Sequence, residues 1–263
     1  MSVLTPDANA GAVALVTGGG TGIGRATALA LARTGAAVAI CGRREEPLEG
    51  TRAEIEALGG SCLAHACDLR EQEESERLVD AVLAEHGRVD ILVNNAGGQF
   101  SAPAEEISLN GWRAVQRLSV EAVWQLTRDV AARSMIPGAG GVVFFNTFSP
   151  RRGIPGFAHA CAARAALENL AAGLASEWSR HGIRVLALAL GSVRTEGLEA
   201  YGEDLDEQAK LVPLGRLATP EEVGEITAFL ASPASAYITG TTIAIDGGVD
   251  AWGNATPPPF NRD

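Results

Sequence analysis

No run of apolar residues in this chain approaches the roughly 18 that a membrane-spanning helix needs, so no membrane partner is expected. The first 12 residues have neither the basic start nor the apolar stretch of a secretory signal, which predicts a soluble, cytoplasmic protein. Cysteine is sparse. Cys41, Cys62, Cys67 and Cys161 lie in mostly apolar settings, Cys62 and Cys67 are too far apart for a C-x-x-C motif, and no matching His/Cys pair follows. They read as buried thiols, with no metal site. Positive charge is also short: 21 Lys and Arg against 32 Asp and Glu leave a net charge of −11, which argues against nucleic acid as a partner. Any anionic cofactor or substrate must therefore be met locally, by placed arginines or helix N-termini.

What the chain does have is enough apolar material, 46% over 263 residues, for one large domain with a well-filled core. Strand-like runs at 12–17, 37–41, 62–67, 91–94, 141–146, 183–190 and 242–245 alternate with helix-period segments at 23–34, 47–58, 73–85, 111–133 and 157–181. That alternation predicts an α/β fold, a mostly parallel seven-stranded sheet with helices on both faces. There is no repeat and no linker, so residues 1–263 read as a single domain, with the Pro/Gly-rich segment 253–263 as an irregular C-terminal arm.

Between the first strand and the first helix stands Thr17-Gly18-Gly19-Gly20-Thr21-Gly22-Ile23-Gly24. In such a loop Gly18 permits the tight turn, Gly22 lets the backbone approach a pyrophosphate, and Gly24 lets helix and strand pack closely. The helix N-terminus, opening at Thr21 and Ile23, then faces phosphate charge. A dinucleotide is the expected ligand. NAD binding usually needs a carboxylate at the end of the second strand to hold the ribose 2′-hydroxyl. Here the chain runs Cys41-Gly42-Arg43-Arg44, with no carboxylate before Glu45. A guanidinium suits a 2′-phosphate through paired charge-assisted hydrogen bonds, so NADP(H) is the expected cofactor, with Arg43 as its reader. The alternative is that Arg43 and Arg44 are solvated helix-entry charges.

With the glycine loop, Cys67-Asp68 after the third strand, Leu92-Val93-Asn94-Asn95-Ala96-Gly97, Gly182-Ile183-Arg184-Val185 and the closing Asp246-Gly247-Gly248, the chain resembles the short-chain dehydrogenase/reductase family over about residues 13–249. The resemblance implies a Rossmann-type doubly wound domain and a homotetramer. It also implies that Asp68 and Leu69 lie at the adenine, that Asn94, Ala96 and Gly97 line the adenosine side, and that Gly191, Val193 and Thr195 reach the nicotinamide end. Within the family, Gly97-Gly98-Gln99-Phe100, Pro103-Ala104-Glu105 and His159-Ala160-Cys161-Ala162-Ala163-Arg164-Ala165 resemble peroxisomal-type trans-2-enoyl-CoA reductases, and Thr195-Glu196-Gly197-Leu198 resembles 2,4-dienoyl-CoA reductases. Where the family pattern has a catalytic Tyr and Lys, this chain has Ala160 and Arg164. Ser119 stands at the active-site Asn position, Thr147 at the carbonyl-polarising Ser, and Leu186 and Leu190 at the sixth-strand Asn and Pro.

Those replacements decide the expected chemistry. Reducing a ketone creates an alkoxide that needs a proton as it forms. Ala160 cannot supply one, and Arg164 is effectively never deprotonated. Hydride addition to an enoyl thioester or enone instead gives a delocalised enolate, which Thr147, backbone N–H groups or a cation can hold. The first expectation is an NADPH-dependent reductase of an activated C=C bond, acting on a small acyl thioester or enone. Its site candidates are Thr147, Arg164, Ser119 and His159. Arg164 either grips the nicotinamide ribose or pairs with Glu168 one turn on, and His159 is either a proton donor or a structural residue. Arg151 and Arg152 either meet CoA phosphates or are surface charges. The second expectation, favoured by Ser119, Leu186 and Leu190, is a non-redox descendant. It would be a nucleotide-binding partner, or an isomerase, cyclase or lyase using the same cleft.

Overall fold

A computed structural model describes residues 4–148, 153–199, 204–253 and 256. Arg151 and Arg152, and the C-terminal arm apart from 253 and 256, lie outside the described residues. Seven parallel strands form one sheet: β1 (Val13–Thr17), β2 (Ala37–Gly42), β3 (Cys62–Ala66), β4 (Ile91–Asn94), β5 (Gly141–Phe148), β6 (Ile183–Leu190) and β7 (Thr242–Ile245). Their order is β3-β2-β1-β4-β5-β6-β7. The order reverses between β1 and β4, and the crevice at the carboxyl ends of those strands is where a ligand fits an open α/β sheet.

Period-2 alternation sends successive strand residues to two separate cores. Leu15, Cys41, Leu92, Val143, Phe145, Val185 and Ala187 pack under α3 (Gln72–His86), α5 (Ala122–Val130) and α6 (Ala158–Trp178), meeting Leu78, Val82, Leu126, Val130, Leu167 and Leu174. Their neighbours Val16, Ile40, Val93, Phe144, Leu186, Leu188 and Leu190 pack on the other face. There they meet Leu29 and Leu31 of α1 (Gly22–Arg33), Leu48 and Ile55 of α2 (Glu45–Ala57) and Val223 and Leu230 of α9 (Pro220–Ala231). Both faces are covered, which is why the strands read as continuous apolar runs.

Two stretches differ from the sequence expectation. The helix expected at 111–133 is α4 (Leu109–Gln116) and α5 joined by a π turn at Arg117–Glu121, with a second π turn at Ala131–Met135. Each π turn inserts a residue into the helical period and re-aims the side chains beside it. The stretch between β6 and β7, which apolar periodicity leaves blank, holds α7 (Glu196–Glu199), α8 (Leu205–Leu211) and α9. Helix α9 carries a local signal: Thr219 and Glu222 form a reciprocal capping box, with Pro220 in the first turn. It packs so closely on α1 that a Cβ at Gly224 would sit 2.7 Å from the Ala26 carbonyl oxygen. Arg184 of β6 secures its far end by donating to the carbonyls of Ala231 (3.2 Å), Ser235 (3.4 Å) and Ile238 (3.4 Å). After β7 the last helix among the described residues is α10 (Val249–Trp252). No helix among the described residues is long and apolar enough to cross a membrane.

Candidate functional site

The glycine loop closes on β2: the Gly18 and Gly19 N–H groups both donate to the Cys41 carbonyl, at 2.8 and 3.1 Å. Gly18 and Gly22 have φ of +67° and +51°, which a side chain rarely tolerates. Gly24 is needed for space: a Cβ there would lie 2.1 Å from the Gly18 oxygen. Thr21 enters α1 in an extended conformation without capping it, and the first turn carries no acidic residue. The first N–H groups of α1 and its dipole are thus available to an anion. Across the loop, Thr195 brings its methyl to 3.3 Å of where a Gly22 Cβ would be, placing the segment after β6 over the glycine loop.

On the β2 side of the crevice, Arg43 and Arg44 are exposed and make no hydrogen bond or ion pair among the described residues. Asp68 follows β3, and the Arg70 guanidinium bonded to it pulls its carboxyl down to about 2, with the Arg43 charge adding to the effect. Leu69 beside it is buried. Asn94 turns away: its side chain is buried and donates to Thr127 of α5 at 3.0 Å, leaving Ala96 and Gly97 to present backbone to the crevice.

Asn95, which the sequence reading passes over except as part of a motif, joins the two halves. Its Nδ2 donates to the Thr17 carbonyl (3.0 Å), and its Oδ1 accepts from Asn146 Nδ2 (3.0 Å). The Thr17 hydroxyl in turn accepts from the Asn95 and Ala96 N–H groups, at 3.0 and 2.9 Å. Asn146 then passes the linkage to α6, because its carbonyl accepts from Arg164 Nη1 at 2.8 Å. Arg164 lies against Gly97, where a Cβ would be 2.5 Å from its Nη2, and its guanidinium carbon is 5.8 Å from the centre of the Phe148 ring. A fixed cation therefore stands at the end of β4 and β5, beside the glycine loop. Gly191 is demanded by contact, since a Cβ would meet Asp246 Cα at 2.7 Å, and Val193 is buried and bridges to Ala218.

Around the start of α6 stand the remaining candidate residues. Ala160 is buried in a small apolar cluster with Val115 and Ala163, backed by Val120, Phe148 and Phe157. Ser119 is buried in the first π turn, and its Oγ has no partner among the described residues. The His159 ring is fully buried and lies against Phe100, tilted by 39° with centroids 4.3 Å apart, and neither nitrogen has a partner among the described residues. Burial alone pulls its pKa below the ordinary histidine value, so the imidazole is neutral at pH 7.

The Thr147 hydroxyl, expected to polarise a substrate carbonyl, points to the Leu188 carbonyl (3.3 Å) and to Glu168 Oε1 (3.4 Å). Glu168 Oε2 also accepts from Thr242, at 3.2 Å. Glu168 thus ties α6 to β5 and β7, a role the sequence reading did not give it. Leu186 and Leu190 belong to the core under α1 and α9.

A family model described as enoyl-(acyl carrier protein) reductase matches residues 18–250. Over 251 residues the chain is 37% identical to a probable 2,4-dienoyl-CoA reductase of Bacillus subtilis (strain 168), covering 92% of this chain and 97% of that protein. Among solved structures it is similar to a short-chain type dehydrogenase/reductase from Mycobacterium marinum, with TM-score 0.87, 34% identity and coverage of 91% and 96% of the two chains. It is equally similar in fold to a gluconate 5-dehydrogenase from Burkholderia cenocepacia in complex with NADP and tartrate, with TM-score 0.87, 32% identity and coverage of 93% and 98%.

The Asn95 linkage has a measurable consequence. Asn95→Ala should leave the Thr17 carbonyl and the Asn146 amide without partners, costing about 1–3 kcal/mol for each group that water cannot reach. Urea unfolding should show that loss. An unchanged midpoint would mean the linkage carries no stability.

Proposed function

We propose that this chain, which belongs to the short-chain dehydrogenase/reductase family, is an NADPH-dependent reductase of an activated carbon–carbon double bond, in an enoyl thioester such as an enoyl-CoA or in a related enone. The observation that carries the reading is the pairing of Ala160, shut in an apolar cluster, with Arg164, a cation pinned between Gly97 and Asn146. A site with fixed positive charge and no phenol favours a product whose negative charge is spread out over one whose charge is a localised alkoxide. The relative named for 2,4-dienoyl-CoA reduction supports the same chemistry.

The residues present fit NADP(H). The positive-φ glycines and the uncapped start of α1 suit the pyrophosphate, Ala96 and Gly97 the adenosine side, and Arg43 the 2′-phosphate. When bound, NADPH supplies the hydride. The protein's own work is positional. Gly191, Val193 and Thr195 close over the nicotinamide end, and Arg164 adds positive potential where charge develops. Glu168, through Thr147 and Thr242, fixes the turn of α6 that carries Arg164. We further propose that the chain assembles as a homotetramer. On α4, α5 and α6, Val115, Val123, Leu126, Leu167, Leu174 and Trp178 are buried within the chain. The outward faces offer Trp112 and Trp124 together with the small residues Ala162, Ala165, Ala166, Ala172 and Gly173 of α6, over which a second helix can approach closely.

Cofactor titration should find NADPH bound more tightly than NADH. Arg43→Ala should shrink the gap by about 1.5–3 kcal/mol, the worth of a hydrogen bond to a charged group. Equal affinities in the wild type would overturn the assignment. NADPH absorbance should fall with a trans-2-enoyl thioester and hold steady with the matching 3-oxoacyl thioester. Arg164→Ala should lose most of the enoyl activity, and efficient 3-oxoacyl reduction would sink the reading. Light scattering at micromolar concentration should report four chains, and a monomer would refute the assembly.

A further inference from the structure

The crevice carries a carboxylate close to where a multiply charged anion is expected. Asp68 follows β3 and Arg43 follows β2, and the sheet order β3-β2-β1 sets them beside the glycine loop at successive strand ends. Strands lie about 4.8 Å apart, so the end of β3 is about 5 Å from that of β2 and about 10 Å from that of β1. The Arg43 guanidinium is near enough for its charge to help hold the Asp68 carboxyl down. A phosphate taken up by Arg43 would therefore stand within reach of a bare Asp68 charge, and the two would repel.

Asp68 is not bare. Its Oδ1 accepts from the Arg70 main-chain N–H at 3.0 Å and from Arg70 Nε at 2.9 Å. Its Oδ2 accepts from Nε at 3.1 Å and from Nη2. Three donor groups of one residue thus occupy a carboxylate that has about four lone-pair sites, and the guanidinium neutralises it. The clamp is itself held: the Arg70 carbonyl accepts from Arg117 at 2.9 Å, and the Asp68 N–H donates to Glu74 at 2.7 Å. Glu71, beside Arg70 in the chain, is paired with Arg117. With side chains 23% and 36% exposed, the Asp68–Arg70 pair is open to water and adds little to the stability of the fold. Its effect falls on what the crevice can bind.

We infer that Arg70 is a cofactor-specificity residue: by neutralising Asp68 it lets the adenosine end of the crevice accept a 2′-phosphate on Arg43. The inference rests on the NADP(H) assignment proposed above and adds a positioning residue that need not touch the cofactor. At physiological salt, charges are screened over about 8 Å. A phosphate at the end of β2 lies inside that distance of Asp68, and a pyrophosphate at the end of β1 lies outside it. Arg70 therefore matters far more for NADPH than for NADH.

The test measures dissociation constants of NADPH and NADH on the full chain by cofactor fluorescence. Arg70→Ala should weaken NADPH binding on the order of 10-fold and NADH binding less than about threefold. Adding Asp68→Asn to Arg70→Ala should restore the NADPH affinity. It removes the charge that Arg70 no longer covers, and it keeps an acceptor oxygen in place. Raising the salt toward about 1 M should narrow the Arg70→Ala defect, because screening then does the work of the guanidinium. An NADPH/NADH ratio in Arg70→Ala within twofold of the wild-type ratio overturns the inference. So does a loss that Asp68→Asn leaves in place, since Arg70 would then act by contact or through the fold. Wild-type affinities equal for the two cofactors would instead remove the NADP(H) reading. In that event the same cycle on NADH decides: a loss in Arg70→Ala that Asp68→Asn relieves retains the neutralising role, and no loss overturns it. Binding of neither dinucleotide overturns both.

Discussion

The side-chain amide of Asn95 holds the crevice together. It sits at the one place where a doubly wound sheet divides, and there the backbone of β1 has lost its ladder partner on one side. By donating to the Thr17 carbonyl and accepting from Asn146, it replaces that missing partner and fixes the distance between β1, β4 and β5. The glycine loop hangs from the same point: Cβ atoms at Gly18 and Gly24 would come within 3.0 and 2.6 Å of the Asn95 amide nitrogen. Arg164 is anchored one residue further along the same chain of bonds. The glycine loop and Arg164 are therefore joined through Asn95 as one unit, and a change at Asn95 reaches both.

On the reductase reading proposed above, the site around that unit relies on fixed electrostatics and not on early proton transfer. A phenol paired with lysine would couple a titrating acid to hydride chemistry. Ala160 and Arg164 leave a cation that never titrates in the working range, a neutral imidazole kept from protonation by burial, and hydroxyls. Such a set suits the stabilisation of developing charge better than early proton transfer. In the reduction proposed above, the proton that completes the product would come late and from water, which suits a delocalised enolate far better than an alkoxide. Acidity elsewhere on the chain makes the placed arginines matter more. Against a net charge of −11, the exposed Arg43 and Arg44 are a local concentration of positive charge.

Much of the scaffold was legible because its signals are local. All seven strands fall where continuous apolar runs stand, since a sheet covered on both faces needs apolar residues at every position. The glycine loop was legible for the same reason: backbone strain at Gly18 and crowding at Gly24 allow no other residue type. Helix α9 escaped periodicity, although the Thr219-Pro220-Glu221-Glu222 cap was there to be read. The π turn around Ser119 left no mark at all, because inserting a residue into a helical period depends on what packs against the helix.

Sequence by itself determined the element order, the cofactor loop and the absence of a phenol at position 160, because each follows from residue types and spacings within one short segment. Tertiary structure alone decided what those residues face. Leu186 and Leu190 stand at positions that look catalytic in a motif, yet strand alternation turns them into the core beneath α1 and α9. Asn94 turns to α5 while Asn95, next to it, turns to the crevice. Thr147 keeps a hydroxyl, but a carboxylate 21 residues away on α6 claims it. Direction and partnership are set by long-range packing, in which one residue's neighbours come from strands and helices far apart in the chain, and no local pattern encodes them.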